Sequence, residues 1–273
     1  LKMMEEMNEE MKGEAESVAR KSNAKEDRHF VTALARGLEV LACFRSGEKL
    51  LGNQELAERS KLPKSTVSRL TYTLTKLGYL QYDDELGKYR LGTATLALGS
   101  AMSRLDIRQL ARPHMQELAD FSHAMVSLGM RDRLSMIYVE NCRSQAALTL
   151  RLDVGSRIPI ATTAMGRAYL AEVPASERSE ILERVHELDD YQWPGIRDGI
   201  ERSIEEYHAI GCCTSFGDWQ QDVNAIAIAF KPANGNAVMS LNCGGPAFNL
   251  SREFLLNEVK PRLIEVADQL RRT

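Results

Sequence analysis

Between Lys64 and Lys76 the chain reads KSTVSRLTYTLTK, and Val67, Leu70, Leu74 and Leu77 recur at spacings of three, four and three. At about 100° per residue those four share one side of a helix. The other side then carries Ser65, Ser68, Arg69, Tyr72 and Lys76, a set suited to the groove of a duplex. A guanidinium can donate two bonds to a guanine edge or clamp a phosphate. Small hydroxyls reach base edges without blocking close approach, and an ammonium pairs with a phosphate. Lys64 and Thr66 fall in the first turn, where unpaired backbone amides attract anions. Lys88 and Arg90, further along, add two cations that can meet a nucleic-acid backbone.

A second group of residues has the types, but not the spacing, for catalysis. Cys212-Cys213 lies near His208, Asp218 and Asp222, and a Cys beside a His can form a nucleophile pair. Neighbouring residues of a strand point to opposite faces, however, and a Cys is more often a small buried hydrophobe. No enzyme activity is expected. The histidines, His29, His114, His123, His186 and His208, show no HxH or HExxH spacing, and the five cysteines form no CxxC. They read as reduced thiols, and with no metal motif, P-loop or GxGxxG, no cofactor or metal is expected.

Positioning these side chains needs a scaffold, and 273 residues, 44% of them hydrophobic, suffice for about two domains. No apolar run approaches the roughly 18 residues of a membrane helix, so a cytoplasmic protein without a membrane partner is expected. The net charge of −3 hides a basic segment: residues 28 to 92 hold 11 Lys and Arg against 7 Asp and Glu. That asymmetry suits a polyanionic partner for this segment alone.

Residues 1 to 29 are polar and read as a flexible arm. In 30–92, Thr32 caps a helix over Ala33 to Arg45 whose core face is Leu34, Leu38, Leu41 and Phe44, ended by Ser46-Gly47. Asn53 caps a short helix to Ser60, Lys61-Leu62-Pro63 makes a break, and Gly78 stops the third helix at Leu77. Tyr79 to Leu91 reads as a hairpin around Asp83 to Gly87. Three helices and a hairpin make a winged helix-turn-helix.

Residues 93–106 read as a linker helix, and 107–273 as an α+β sheet domain. Ile107 to His123 is helical, with Pro113 marking a kink or a start. Strands are expected over Ala124–Met130, Leu134–Glu140, Ala146–Leu152, Gly211–Gly217, Ala225–Phe230 and Ala237–Cys243. Helices are expected over 163–172, 176–186 and 198–210, and over a last segment capped by Ser251.

The segments LARGLEVLACF, NQELAERSKLPKSTVSRLTYTLTKLGYL and KYRLG resemble the N-terminal winged helix of IclR-type bacterial transcriptional regulators. Gly155, Pro159 and Thr163-Ala164-Met165-Gly166-Arg167-Ala168-Tyr169-Leu170-Ala171 are similar, in order, to motifs of that family's effector domain. So are Ala225 to Phe230 and Val238 to Pro246, although the last strand reads Asn242-Cys243-Gly244-Gly245-Pro246 where the family usually has Ser-Val-Ser-Gly-Pro.

The resemblance implies a regulator that binds a palindromic double-stranded DNA operator as a homodimer or dimer of dimers. It also implies a GAF/PAS-like α/β domain that binds a small organic acid. Carried over by position, the effector site is Ala164, Met165, Gly166, Cys212, Phe216, Trp219, Asp222, Asn242 and Gly244. Independently, the amides near Thr163 suit a carboxylate, and Met165, Phe216 and Trp219 can wall a ring. Trp219 and Phe216 read equally well as core or dimer contacts. The alternative is a DNA-binding protein whose C-terminal domain only oligomerises.

Overall fold

The computed structural model describes residues 29–44, 50–102, 106–145, 152–233, 235 and 237–273. The chain divides into two compact units between Leu98 and Gly99. The arm up to residue 28, the stop at Ser46-Gly47, and all of the strand expected over Ala146–Leu152 except Leu152 lie outside the described residues.

The first unit holds α1 (Thr32–Ala42), α2 (Asn53–Ser60), α3 (Lys64–Lys76), the hairpin β1 (Leu80–Asp83) and β2 (Lys88–Leu91), and the start of α4 (Thr93–Met102). Val40, Leu51, Leu56, Val67 and Leu80 form its core. The break between α2 and α3 turns at Lys61, which is left-handed with φ 55°. Reciprocal bonds between Leu51 and Tyr89, 2.9 and 2.8 Å, pin the hairpin to the segment before α2.

Two local expectations are corrected. Thr32 does not cap α1, whose N-cap Val31 makes no side-chain bond; Asn53 lies inside α2, where the Glu55 carboxylate accepts the Gly52 N–H at 2.7 Å. Leu34 and Leu38 are exposed, at 61% and 57%, as is Leu77. The close approach of α1 to α3 runs instead through Gly37, where an added Cβ would sit 3.9 Å from Leu70, and through the buried Val40. On α3 the buried set is Val67 and Thr71, with Leu70 and Leu74 half-buried. The Thr71 hydroxyl is satisfied by the Val67 carbonyl at 3.0 Å.

The second unit is built on a six-stranded antiparallel sheet. Its strands are β3 (Met125–Asp132), β4 (Ser135–Arg143), β5 (Arg157–Pro159), β6 (Cys213–Phe216), β7 (Val223–Phe230) and β8 (Met239–Pro246), in the order β5-β4-β3-β8-β7-β6. One face is covered by α5 (Asp106–Ser122) and by α9 (Arg252–Phe254), which runs through a π-turn (Leu255–Val259) into α10 (Lys260–Arg271). The other is covered by α6 (Ala164–Glu172), α7 (Ala175–His186) and α8 (Trp193–Ile210). The alternation in β7 explains the two faces: Ile226, Ile228 and Phe230 join the α5 and α10 core, while Ala225, Ala227 and Ala229 face α6. Small side chains on that second face leave depth for a cavity.

Pro113 sits inside α5 rather than at its start. The helix is tied to the sheet by Arg112, which meets the buried Glu140 carboxylate at 2.7 Å. Ser251 caps α9 as expected, accepting from Phe254 N at 3.1 Å, and Thr163, read from the sequence as the first helical residue, is the cap of α6, accepting from Gly166 N at 3.2 Å. Helix α8 begins five residues before the expected 198, at Trp193, with Pro194 in its first turn.

Candidate functional site

In the first unit, Lys64, Ser65, Ser68, Arg69, Tyr72 and Lys76 are all exposed along α3, Tyr72 at 64%. Thr66 is half-buried at the edge of this face. Lys76 lies over the Tyr72 ring at 5.5 Å, so the two share one surface. The N-cap of α3 is Pro63, which provides no side-chain bond to the first turn. The amides of Lys64, Ser65 and Thr66 precede the first residue with an intrahelical acceptor, and they suit an anion such as phosphate. Arg90 is exposed and donates from Nε to Gln81 at 3.1 Å.

Lys88 is less free than the sequence implies: it is half-buried and its Nζ meets Glu55 at 3.2 Å. The Gly52 N–H and then Lys88 hold the Glu55 carboxyl below its ordinary value of 4.5. A depressed carboxylate stabilises the fold above the ordinary value and loses that contribution as pH falls through the folded one. Glu55→Gln is therefore expected to be less stable than the parent at neutral pH. The gap should narrow as pH falls below that ordinary value, as followed by chemical denaturation across the range. A constant gap would place the effect outside this carboxyl.

In the second unit, Tyr138, Ile158, Thr163, Ala164, Ser215, Trp219, Val223, Ala225, Asn242 and Gly244 enclose a cavity of about 20 Å³. The N-terminus of α6 forms one wall, β7 and β8 the floor, and Trp219, on the turn after β6, another wall. Gly244 keeps the floor shallow, because a Cβ there would come within 2.9 Å of the Ala225 Cβ.

Of the nine positions carried over by resemblance, Ala164, Trp219, Asn242 and Gly244 meet at this cavity and five do not. Met165 is fully buried and turns toward the sheet, its sulfur filling the space above Gly129. Gly166 packs against the Ile160 backbone. Cys212 belongs to the core on the opposite face of the sheet. The Phe216 ring packs against that same core and lies 4.4 Å from the Arg252 guanidinium. Asp222 is exposed, and its carbonyl accepts the Ala247 N–H at 2.7 Å. Along α6 and β6 the separation follows from geometry: neighbours in a strand or helix diverge by half or about a quarter of a turn, so a run of motif residues cannot all face one space.

Sequence reasoning missed Tyr138, with Ser127 and Asn141 behind it. Ser127 pairs with Asn141 on β4 and with Asn242 on β8, so three polar residues form one row across three strands. The Ser127 hydroxyl donates to Asn141 Oδ1 at 2.9 Å, and Asn141 Nδ2 donates to the Leu152 carbonyl at 2.7 Å. Burial pushes the Tyr138 phenol up to about 12, outweighing the lowering influence of Ser127 and Asn242, so it keeps its proton. Polar residues inside otherwise apolar strands were the available signal.

Cys212 and Cys213 do point to opposite faces, one into each core. Burial raises the thiols of Cys142 and Cys212 to about 11 and that of Cys243 to about 12, and pushes Cys213 upward as well. These four are protonated at neutral pH and make poor nucleophiles. Among the described residues no group of three or more His, Cys, Asp or Glu side chains is placed to hold a metal, and no helix is long and apolar enough to cross a membrane.

A helix-turn-helix unit with an open polar face, joined to a sheet unit with an internal cavity, defines a two-domain transcriptional regulator. Residues 33–84 match the IclR helix-turn-helix domain, and residues 99–272 match the C-terminal domain of the bacterial transcriptional regulator IclR. The chain belongs to the IclR family of bacterial transcriptional regulators, with an N-terminal DNA-binding domain and a C-terminal effector domain. It is 37% identical over 244 residues to the HTH-type transcriptional regulator TsaQ1/TsaQ2 of Comamonas testosteroni, covering 88% of this chain and 87% of that one. The crystal structure of an IclR family transcriptional regulator from Brucella abortus is 46% identical with a TM-score of 0.76, covering 90% of this chain and 93% of the other. An IclR homologue from Microbacterium hydrocarbonoxydans, solved in complex with 4-hydroxybenzoate, shares the fold at 22% identity and TM-score 0.69, covering 88% and 98%.

Proposed function

We propose that the chain binds a palindromic operator as a homodimer, or as a dimer of dimers, and senses a small organic acid in the cavity beside Trp219. The cavity carries the sensor reading. It combines the N-terminus of α6, which favours a carboxylate, with the flat Trp219 ring, a floor of Ala225 and Gly244, and a buried polar group, Asn242. An aromatic acid fits that combination, and a homologue of the same fold takes 4-hydroxybenzoate, an acid of this class.

The volume adds a mechanical requirement. At about 20 Å³ the cavity has room for one water, whereas a cavity that takes benzene measures about 150 Å³. An aromatic ligand enters only if a wall of the cavity moves outward, and the Trp219 turn, which lies outside any helix or strand, is the wall proposed to move. Two arrangements of unequal ligand affinity are what a switch requires. A thermal-shift screen of benzoic and short aliphatic acids is expected to find at least one that stabilises by about 2.7 kcal/mol at a hundredfold excess over Kd. Failure across the panel would favour the reading in which the sheet domain only assembles the oligomer.

On the DNA side, a two-fold pair of α3 helices reads two half-sites where one helix reads a few base pairs. The exposed strip of Phe30, Val31, Leu34 and Leu38 supports self-association, because apolar side chains grouped on a surface mark a contact site. Arg69→Ala is expected to weaken operator binding by about 1 to 3 kcal/mol, the worth of a bidentate base contact, while ligand-induced stabilisation is unchanged. Gel-shift titration at fixed salt tests this, and equal affinities would remove Arg69 from the contact set.

A further inference from the structure

We infer that the effector cavity presents a hydrogen-bond acceptor, the Asn242 side-chain oxygen, and so selects a hydroxy acid over the plain acid of the same shape. The inference rests on the sensor reading above and narrows its ligand class. It follows from the polar row Asn141, Ser127 and Asn242 across three strands, whose last member is left without a partner. The Leu152 carbonyl can only accept, so Asn141 turns its Nδ2 toward it, at 2.7 Å, and its Oδ1 toward Ser127. Ser127 donates its single proton to that oxygen, at 2.9 Å. Its one proton committed to Asn141, Ser127 has none to offer Asn242, its register partner on β8.

The Asn242 Oδ1 is left over. It is buried and has no hydrogen-bond partner within the protein, and Asn242 itself is 5% exposed and lines the cavity. A buried acceptor without a donor is penalised, and a ligand that supplies the donor removes the penalty. A hydroxyl is such a donor, whereas a fluorine of similar size is not. With the ligand carboxylate at the N-terminus of α6, the hydroxyl belongs at the end of the ligand that meets β8.

The test uses the full chain and matched pairs measured by calorimetric titration: 3- and 4-hydroxybenzoate against 3- and 4-fluorobenzoate, and phenol against fluorobenzene. The hydroxyl member of at least one pair is expected to bind at least about tenfold tighter, because a site that hydrogen-bonds a hydroxyl rejects the analogue lacking it. Asn242→Leu should bring that ratio close to one. Fluoro acids that bind as tightly as hydroxy acids overturn the inference and leave the acid sensor standing. Preference for phenol with no acid binding sinks the acid reading and upholds the acceptor. A ratio that survives Asn242→Leu, or no binding by any compound, overturns the inference.

Discussion

Gly166→Ala is expected to destabilise the effector domain by about 3 kcal/mol or more, beyond the usual range for one added methyl in a packed interior. Gly166 lies in the first turn of α6, and a Cβ there would run into the carbonyl oxygen and backbone of Ile160. Backbone cannot rotate away as a side chain can, so relief requires α6 to move from the segment that precedes it. Alanine favours helix over glycine by about 1 kcal/mol, which offsets only part of this. The displaced wall is the one that carries Thr163 and Ala164, so ligand-induced stabilisation should fall together with the melting temperature. Gly129, where the intruding group is the flexible Met165 side chain, is the internal comparison: Gly129→Ala should be milder. Equal melting temperatures for Gly166→Ala and the parent would show that the close approach is not a constraint.

The close approach at Gly166 also shows why parts of the site were legible and others were not. Local signals were strong where one residue sets a boundary. Ser251 announced its helix, and the run from Ala225 to Phe230 marked strand β7. Periodicity in α1 was misread because a helix with apolar residues on two adjacent arcs does not say which arc is buried. The answer lay in Gly37 on α1 and Leu70 on α3, a contact 33 positions apart. Strand β5, three residues long, is too short to show a period, and the π-turn before α10 leaves no pattern. The row of Ser127, Asn141 and Asn242 depends on the register between β3, β4 and β8. A slip of one residue would scatter it over both faces, so only the folded sheet reveals it.

Arg167→Met is expected to lower stability by about 3 kcal/mol, the low end for breaking a buried ion pair, and to loosen the Trp219 turn. The Arg167 side chain is 8% exposed, and its Nη1 meets Asp218 Oδ2 at 2.6 Å. Its Nε also donates to the Ala161 carbonyl at 3.2 Å, while Gly199 of α8 leaves room for its other nitrogen. One guanidinium thus ties α6 to the segment before it and to the residue next to Trp219. Asp218 is 46% exposed, so water can take over its solvation and the loss stays near the lower bound. For a unit of this size about 3 kcal/mol lowers the melting temperature by roughly 6 to 12 °C. On the proposed opening of this turn, the same substitution should raise the association rate of an aromatic acid. Asp218→Asn, which keeps an acceptor but removes the charge, should do both more weakly. Stopped-flow quenching of tryptophan fluorescence measures the rate. An unchanged rate in both variants, with the stability loss intact, would make Arg167 a structural tie with no part in opening the cavity.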